Sequence, residues 1–515
     1  MNTEERDKVS KKYQKLSQLE HLLKRPHMYI GKIFNMEQNM WILDHSKNQM
    51  KERLLIYNPG ILKLFDEIVL NACDHSLEHS ELNRINVEIT EKYISVMNNG
   101  PGIPITRHSE YPDYYIPELI FTHFLTSSNY DDEKKRLKSG LNGLGAKITS
   151  AFSSTFIIDT VYNNERYTQK YRKNLSVIDP PVIQTLKKPK KDYTKITFYP
   201  DFDRFKIPEK QITQETLKVL ERRTYDIAAY TNENVKVYLN DVNLNVRNFK
   251  DYVSIFLSDQ QKQEVFISIE KRWKIAICSS ESNNFSSISF VNGVNTIGGG
   301  THVQYIIQKL SSIVSKKIKN KIRSNIVKDH VMMIIFAQIE NPEFESQAKE
   351  VLTTNSSDFG SSFKFDARAI KKILNMKFIK DLKSYLQFKE NQSLAVGDGK
   401  KTSKLIGIPN LDDANKAGTK EARQCTLFLT EGLSAKTFAV SGLSIIGREY
   451  FGIFPLKGKL INVRSANVNQ VIKNDEIKYI KQILGLQTNK KYNSVEELIN
   501  SLRYGKVCLL TDADH

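Results

Sequence analysis

The spacing of apolar positions changes several times along the chain, and each change predicts a different element. Ile61, Leu64, Phe65, Ile68 and Ala72 recur at three- and four-residue intervals, which predicts an amphipathic helix over 61–78. Over 86–97, Ile and Val alternate with polar residues at the two-residue period of strands. Pro and Gly cluster at 98–104, and 126–145 lacks apolar periodicity, so both stretches read as loops. Strand-like runs follow near Val161 and over 196–199 and 235–239. Then come a strand at 287–291, a glycine run at 298–300 and a helix from about His302. The apolar strand 331–337 is followed by a long Lys-rich helix at 367–390 and by 391–404, a Gly/Ser/Lys-rich stretch that reads as a linker. Two further buried strands are predicted at 426–429 and 507–510. Upstream of all these, the first thirty residues are charged and helix-forming as far as Arg25, where Pro26 stops the helix.

Length and charge narrow the picture. The 515 residues predict roughly three domains. Lys plus Arg number 76 against 58 Asp plus Glu, a net +18, which favours a polyanionic partner, nucleic acid before anionic membrane. The four cysteines are far apart and none forms a CxxC pair, against both a zinc site and a disulfide scaffold, so a reducing compartment is expected. The N-terminus is too charged for a signal peptide. The longest apolar run, 331–337, falls far short of the roughly 20 residues that span a bilayer, so a soluble chain with no membrane partner is expected.

Three constellations carry candidate chemistry. Glu67 and Asn71 stand four apart at the margin of the apolar stripe, where a carboxylate suits activation of a water and an amide oxygen suits a hard cation such as Mg²⁺. Asn98 ends a strand and opens a Gly/Pro turn whose glycines permit close backbone approach to a ligand, and its amide suits a base edge. Gly140, Leu141, Asn142, Gly143, Leu144, Gly145, Ala146 and Lys147 precede an apolar helix, an arrangement that presents backbone N–H groups to phosphate. It is not a Walker loop, because no Ser or Thr follows the lysine at the required spacing. Taken singly, each is commoner as a solvated helix edge or an ordinary turn.

Together, in this order and spacing, the three resemble the GHKL (Bergerat) ATP-binding fold of gyrases, one class of heat-shock chaperones, histidine kinases and the MutL mismatch-repair proteins. That resemblance makes Glu67 the general base, Asn71 the Mg²⁺-holding asparagine, Asn98 the adenine reader and 140–147 the phosphate loop. The stretches YQKLSQLEHLLKRPHMY (13–29), FDEIVLNACD (65–74), LTSSNYDD (125–132) and the run 407–464 narrow the match to the eukaryotic-type DNA topoisomerase II. This implies that Ser127, Ser128 and Asn129 contact nucleotide and that Tyr13 reaches the ATP of a partner protomer. It also implies that Gln347, Ala348 and Lys349, within PEFESQAKE (342–350), sense the γ-phosphate from a second, transducer domain. Ala348 stands where that family usually has Thr, and in the phosphate loop Ser139 replaces a glycine and Leu141 an arginine.

The C-terminal part is similar to the TOPRIM fold, with Glu431, Asp512 and Asp514 as its Mg²⁺ ligands and Lys457 and Lys459 on a DNA-facing loop. Leu433 replaces an acid of that motif. A second candidate DNA contact is the basic cluster Lys316, Lys317, Lys319 and Lys321. The fold class implied is α+β multidomain: a GHKL α/β sandwich with N-terminal strap over 1–248, a transducer with a ribosomal-protein-like βαβ fold over 249–390, a linker at 391–410 and a partial TOPRIM α/β domain over 411–515. The resemblance runs out at His515, before the third carboxylate of TOPRIM and the tyrosine-bearing winged-helix domain. It therefore implies a homodimeric ATPase clamp on duplex DNA, in a nucleus or a viral or phage replication site, that does not cleave DNA unaided. A longer polypeptide or a separate cleavage subunit would supply the rest. The alternatives are a degenerate DNA-binding subunit that uses ATP structurally, or another GHKL ATPase, a chaperone or mismatch-repair clamp.

Overall fold

The computed structural model describes residues 13, 15–124, 137–138, 143–188, 190–282, 284–318, 322–395, 397–458 and 460–511. They fall into two compact units, 1–379 and 380–515.

In the first unit the helix predicted from residue 61 begins at Pro59 and runs to Glu78. Asn58 sets the start: its side chain accepts the Ile61 N–H at 3.1 Å, and Pro59 stands at the first helical position, where no N–H is needed. The apolar stripe is buried as predicted, with Ile61, Leu64 and Phe65 all fully covered. Each such side chain contributes roughly 1.5–3 kcal/mol. The helix packs on the strand Ile94–Asn99 and also against the helices Gly145–Ala151 and Gln214–Tyr230. Covered on more than one side, it buries Lys63, Glu67 and Asp74 as well, so Glu67 is not at a solvated margin.

This helix lies on a nine-stranded sheet. Its spatial order is Val242–Asn243, Lys236–Leu239, Arg84–Ile89, Ile94–Asn99, Tyr193–Pro200, Ser153–Tyr162, Glu165–Arg172 and Val177–Ile178, with Val182–Thr185 also paired to Glu165–Arg172. The stretch 86–97 thus supplies two antiparallel neighbours, joined by a turn in which the Thr90 N–H donates to the Tyr93 carbonyl at 3.0 Å.

A five-stranded sheet follows in the same unit, in the order Phe266–Ile269, Trp273–Ser279, Val331–Ala337, Ser286–Val291 and Val294–Asn295. Ser286–Val291 and Val331–Ala337 are parallel, and the helix Thr301–Ile318 lies between them in sequence. Every residue of Val331–Ala337 is buried, as a run of seven apolar residues in a central strand requires. The helix expected over 367–390 is instead two, Ala367–Leu374 and Lys377–Ala395. Between them the Asn375 N–H turns back to the Lys372 and Ile373 carbonyls and Met376 drops into the core, which ends the first helix.

The second unit holds a three-stranded parallel sheet with Thr426–Thr430 between Phe451–Pro455 and Lys506–Leu510. The helix Leu433–Ile446 follows the central strand. Arg503, fully buried, ties this unit together by donating to the Thr402 and Ile483 carbonyls and to Asp413. Within the stretch read as a linker, 391–395 is helical and Asp398 pairs with Lys481 at 2.6 Å. Among the described residues no helix is long and apolar enough to cross a membrane.

Candidate active site

A cavity of about 1580 Å³ opens in the first unit between the Pro59–Glu78 helix, the 98–104 turn, residues 143–147 and the loop 342–353. Glu67, Asn71, Asn98, Gly143, Leu144, Gly145, Ala146, Lys147, Gln347 and Lys349 all line it. Residues from four separated stretches of sequence, assigned to one site by resemblance, therefore share one cavity. Ser127, Ser128, Asn129, Gly140, Leu141 and Asn142 lie outside the described residues. Ala348 does not line the cavity; a Cβ built on Gly31 would lie 3.8 Å from its own Cβ. Tyr13 is exposed and does not line it either.

Glu67 has the most specific surroundings. Its Oε1 lies 2.6 Å from the Lys63 ammonium, one helical turn earlier. Burial alone would raise its carboxyl, but the Lys63 and Lys349 charges outweigh that cost and hold it at about 2, against an ordinary 4.5. On its other side stands Gly145, where an added Cβ would come within 1.8 Å of Oε2. Glycine is needed there for space. Burial pushes the Lys349 ammonium down, with help from Lys63, while Glu67, Asp74 and Asp66 oppose the shift. Lys349 itself sits at φ +62°, its N–H on the Ser346 carbonyl at 3.0 Å.

Asn98, 6% exposed, donates from Nδ2 to His75 Nδ1 at 3.0 Å and to the Asn99 carbonyl at 3.2 Å. The turn after it meets protein more closely than the sequence suggested. A Cβ on Gly102 would fall 1.9 Å from the Val161 carbonyl oxygen, so this glycine's tight approach is to a strand. Lys147 is almost fully buried, its ammonium donating to the Gly143 carbonyl at 2.6 Å, and burial lowers it to about 8. Asn71 is exposed and lines the cavity.

The remaining candidates lie elsewhere. Glu431 directly follows the strand Thr426–Thr430, its N–H on the Leu510 carbonyl at 3.1 Å, while Asp512 and Asp514 lie outside the described residues. Lys316 and Lys317 are exposed on the last turn of Thr301–Ile318, and Lys457 is exposed in the second unit. Lys319, Lys321 and Lys459 lie outside the described residues. Sequence reasoning missed Lys63, His75 and Arg223, the last of which donates to Asp66, the residue beside Glu67. The i,i+4 spacing of Lys63 and Glu67 was a usable signal for the first; nothing local pointed to the other two.

Residues 60–204 match the family described as "Histidine kinase-, DNA gyrase B-, and HSP90-like ATPase", and 222–394 match "DNA gyrase B". DNA topoisomerase 2 of Saccharomyces cerevisiae is 43% identical over 98% of this chain and 37% of its own length. The Arabidopsis thaliana enzyme of the same name is 40% identical over 98% of this chain and 35% of its own. The chain thus spans little more than a third of the length of these relatives. The crystal structure of the ATPase region of S. cerevisiae topoisomerase II superposes with a TM-score of 0.70 at 41% identity, covering 74% of this chain and 100% of that one. The ATPase and transducer domains of DNA topoisomerase II from Balamuthia mandrillaris give 0.69 at 35% identity, over 74% of this chain and 99% of that one. The chain belongs to the type II DNA topoisomerase family.

Proposed function

We propose that this chain binds ATP in the 1580 Å³ cavity and hydrolyses it, and that ATP binding closes a homodimeric clamp on duplex DNA. One observation carries the reading: Glu67, on a helix of the nine-stranded sheet, and Lys349, on the loop after the five-stranded sheet, face one cavity and perturb each other's charge. Glu67 is an anion with a suppressed basicity while both lysines attend it. A γ-phosphate that draws Lys349 to itself takes one cation away from Glu67, which raises its affinity for a proton. The base would then strengthen only when the γ-phosphate is in place, and it could accept the proton of the attacking water. The Lys147 ammonium and the backbone of 143–147 would face the phosphates, and Asn98 the adenine.

Asn71 fits a Mg²⁺ ion, since that cation keeps several waters and takes few protein oxygens beside phosphate. When bound, the ion would neutralise phosphate charge. Glu431, with Asp512 and Asp514, offers the carboxylate chemistry of a second Mg²⁺ site in a partial TOPRIM domain over 411–515. The GHKL domain would cover 1–248 and the transducer 249–390, with 391–410 between the latter and TOPRIM. Lys316, Lys317 and Lys457 supply exposed charge suited to DNA phosphates. The place of action would be wherever the DNA is, a nucleus or a viral or phage replication site.

The test is steady-state ATP hydrolysis by the chain, with and without duplex DNA. Saturable turnover that DNA stimulates and that Glu67→Gln lowers by about 10²-fold or more supports the reading. Binding of ATP without turnover, in wild type, would instead make it a subunit that uses ATP as a structural ligand.

A further inference from the structure

His75 lines the nucleotide cavity two helical turns after Glu67, and no role in the reading above uses it. Its Nδ1 lies 3.0 Å from Asn98 Nδ2. That contact alone is ambiguous, because an amide can be turned over and an imidazole can carry its proton on either nitrogen. The Asn99 carbonyl, 3.2 Å from the same Nδ2, removes the ambiguity. A carbonyl oxygen only accepts, so the amide atom facing it must be the N–H₂ group. His75 Nδ1, facing that group too, must then be the unprotonated acceptor, with the ring proton on Nε2. Both amide hydrogens of Asn98 are taken, and Oδ1 is turned away from these two acceptors. An acceptor held in this way pairs with an exocyclic amine and repels a carbonyl oxygen.

We propose that His75 is a specificity-determining positioning residue: as a neutral acceptor it fixes the Asn98 amide so that the site selects a base bearing a 6-amino group over one bearing a 6-oxo group. This rests on the assignment of Asn98 as the base-contacting residue. Selectivity is then conditional on pH. Protonated His75 places an N–H donor against the Asn98 N–H₂ group, and the amide loses its reason to stay in register.

The surroundings favour the neutral ring. Burial and the neighbouring His79 ring, at 4.4 Å between centroids, depress its proton affinity, and Lys138 adds to this, while Glu78 and Glu81 oppose it. Lys138 is itself paired with Glu78, so that carboxylate is partly spent. The ring therefore stays neutral to below the ordinary histidine value of 6.5.

The experiment is calorimetric titration of the chain with ADP and IDP, which differ at the 6-substituent and, with it, in whether N1 carries a proton, and which are not turned over, from pH 7.5 down to 5.5. Wild type is expected to prefer ADP at pH 7.5 and to lose part of that preference by pH 5.5 as His75 protonates. His75→Asn, which keeps a neutral acceptor that does not titrate, should retain the preference and flatten its pH dependence. His75→Ala should lose about tenfold in preference at every pH. An Ala variant that keeps the wild-type ratio, with an unchanged pH profile, overturns the role of His75. If wild type shows no preference and Asn98→Ala changes nothing, the assignment of Asn98 itself falls, and this inference with it. Equal melting temperatures for the variants exclude misfolding as the cause of a lost preference.

Discussion

The Glu67 carboxylate and the Lys63 ammonium form a 2.6 Å ion pair on one face of one helix, each side chain about one-tenth exposed. In that setting a charge persists only with its partner. Lys63→Met should leave Lys349 as the sole nearby cation, so burial would win and the Glu67 carboxyl would rise from about 2. The acid limb of the pH–rate profile for ATP hydrolysis is then expected to move up by about one pH unit or more. An unmoved limb would show that Lys63 does not govern Glu67.

The same depression contributes to stability, with a definite sign. A carboxyl at about 2 when folded and 4.5 ordinarily stabilises the fold above pH 4.5, and loses that contribution as pH falls through about 2. The difference is worth on the order of 3 kcal/mol. Denaturant unfolding of wild type against Glu67→Gln should show a gap near pH 7 that closes toward pH 2.

How much of this was legible beforehand depends on the kind of contact. The helix at 59–78 was readable because its core-facing stripe repeats within the helix itself, and the strand Val331–Ala337 because seven apolar residues in a row have few other uses. The cavity residues were readable only as a set, since each motif alone is common. The break at Asn375 was not readable: 367–390 carries helical spacing throughout, and what ends the first helix is the burial of Met376 in a core contributed by distant sequence. Arg223 likewise carries no local mark. Its partners, Asp66 and the Gly293 carbonyl, lie 157 and 70 residues away.

Lys349 stands between the two sheets' contributions to the cavity, and its removal should separate binding from response. Lys349→Ala is expected to impair hydrolysis and nucleotide-driven dimerisation together while ADP affinity changes less, because Asn98, the residue proposed to face adenine, lines the cavity from a different stretch of the chain. Turnover measured beside sedimentation with a non-hydrolysable analogue checks this. Normal dimerisation with lost turnover would confine Lys349 to chemistry.

Arg223 is fully buried and donates to Asp66 at 2.5 Å and to the Gly293 carbonyl at 2.7 Å, so it ties the residue beside Glu67 to a turn of the five-stranded sheet. Asp226, also fully buried, adds a second carboxylate. Arg223→Leu leaves these acids short of a cation and should cost roughly 3–5 kcal/mol. The exposed pair Lys262–Asp259, at 3.2 Å, is the internal comparison, and Lys262→Ala should cost no more than about 0.5 kcal/mol. Unfolding midpoints in urea would decide; similar losses for both would mean that burial of the Arg223 network carries no special weight.

Gly145 separates two effects that usually act together. It opens the helix Gly145–Ala151 without a positive φ, so backbone strain gives no reason to keep glycine there, and helix propensity favours alanine by about 1 kcal/mol. Space argues the opposite way, since the alanine methyl would fall 1.8 Å from Glu67 Oε2. A contact that short must be relieved by displacing the carboxylate, the group proposed to take the proton, or the helix that follows. Gly145→Ala is therefore expected to change the melting temperature little while reducing turnover at least tenfold, because a misplaced base loses catalysis steeply with small shifts. A variant that melts higher and hydrolyses ATP at the wild-type rate would show that Glu67 does not need its present position.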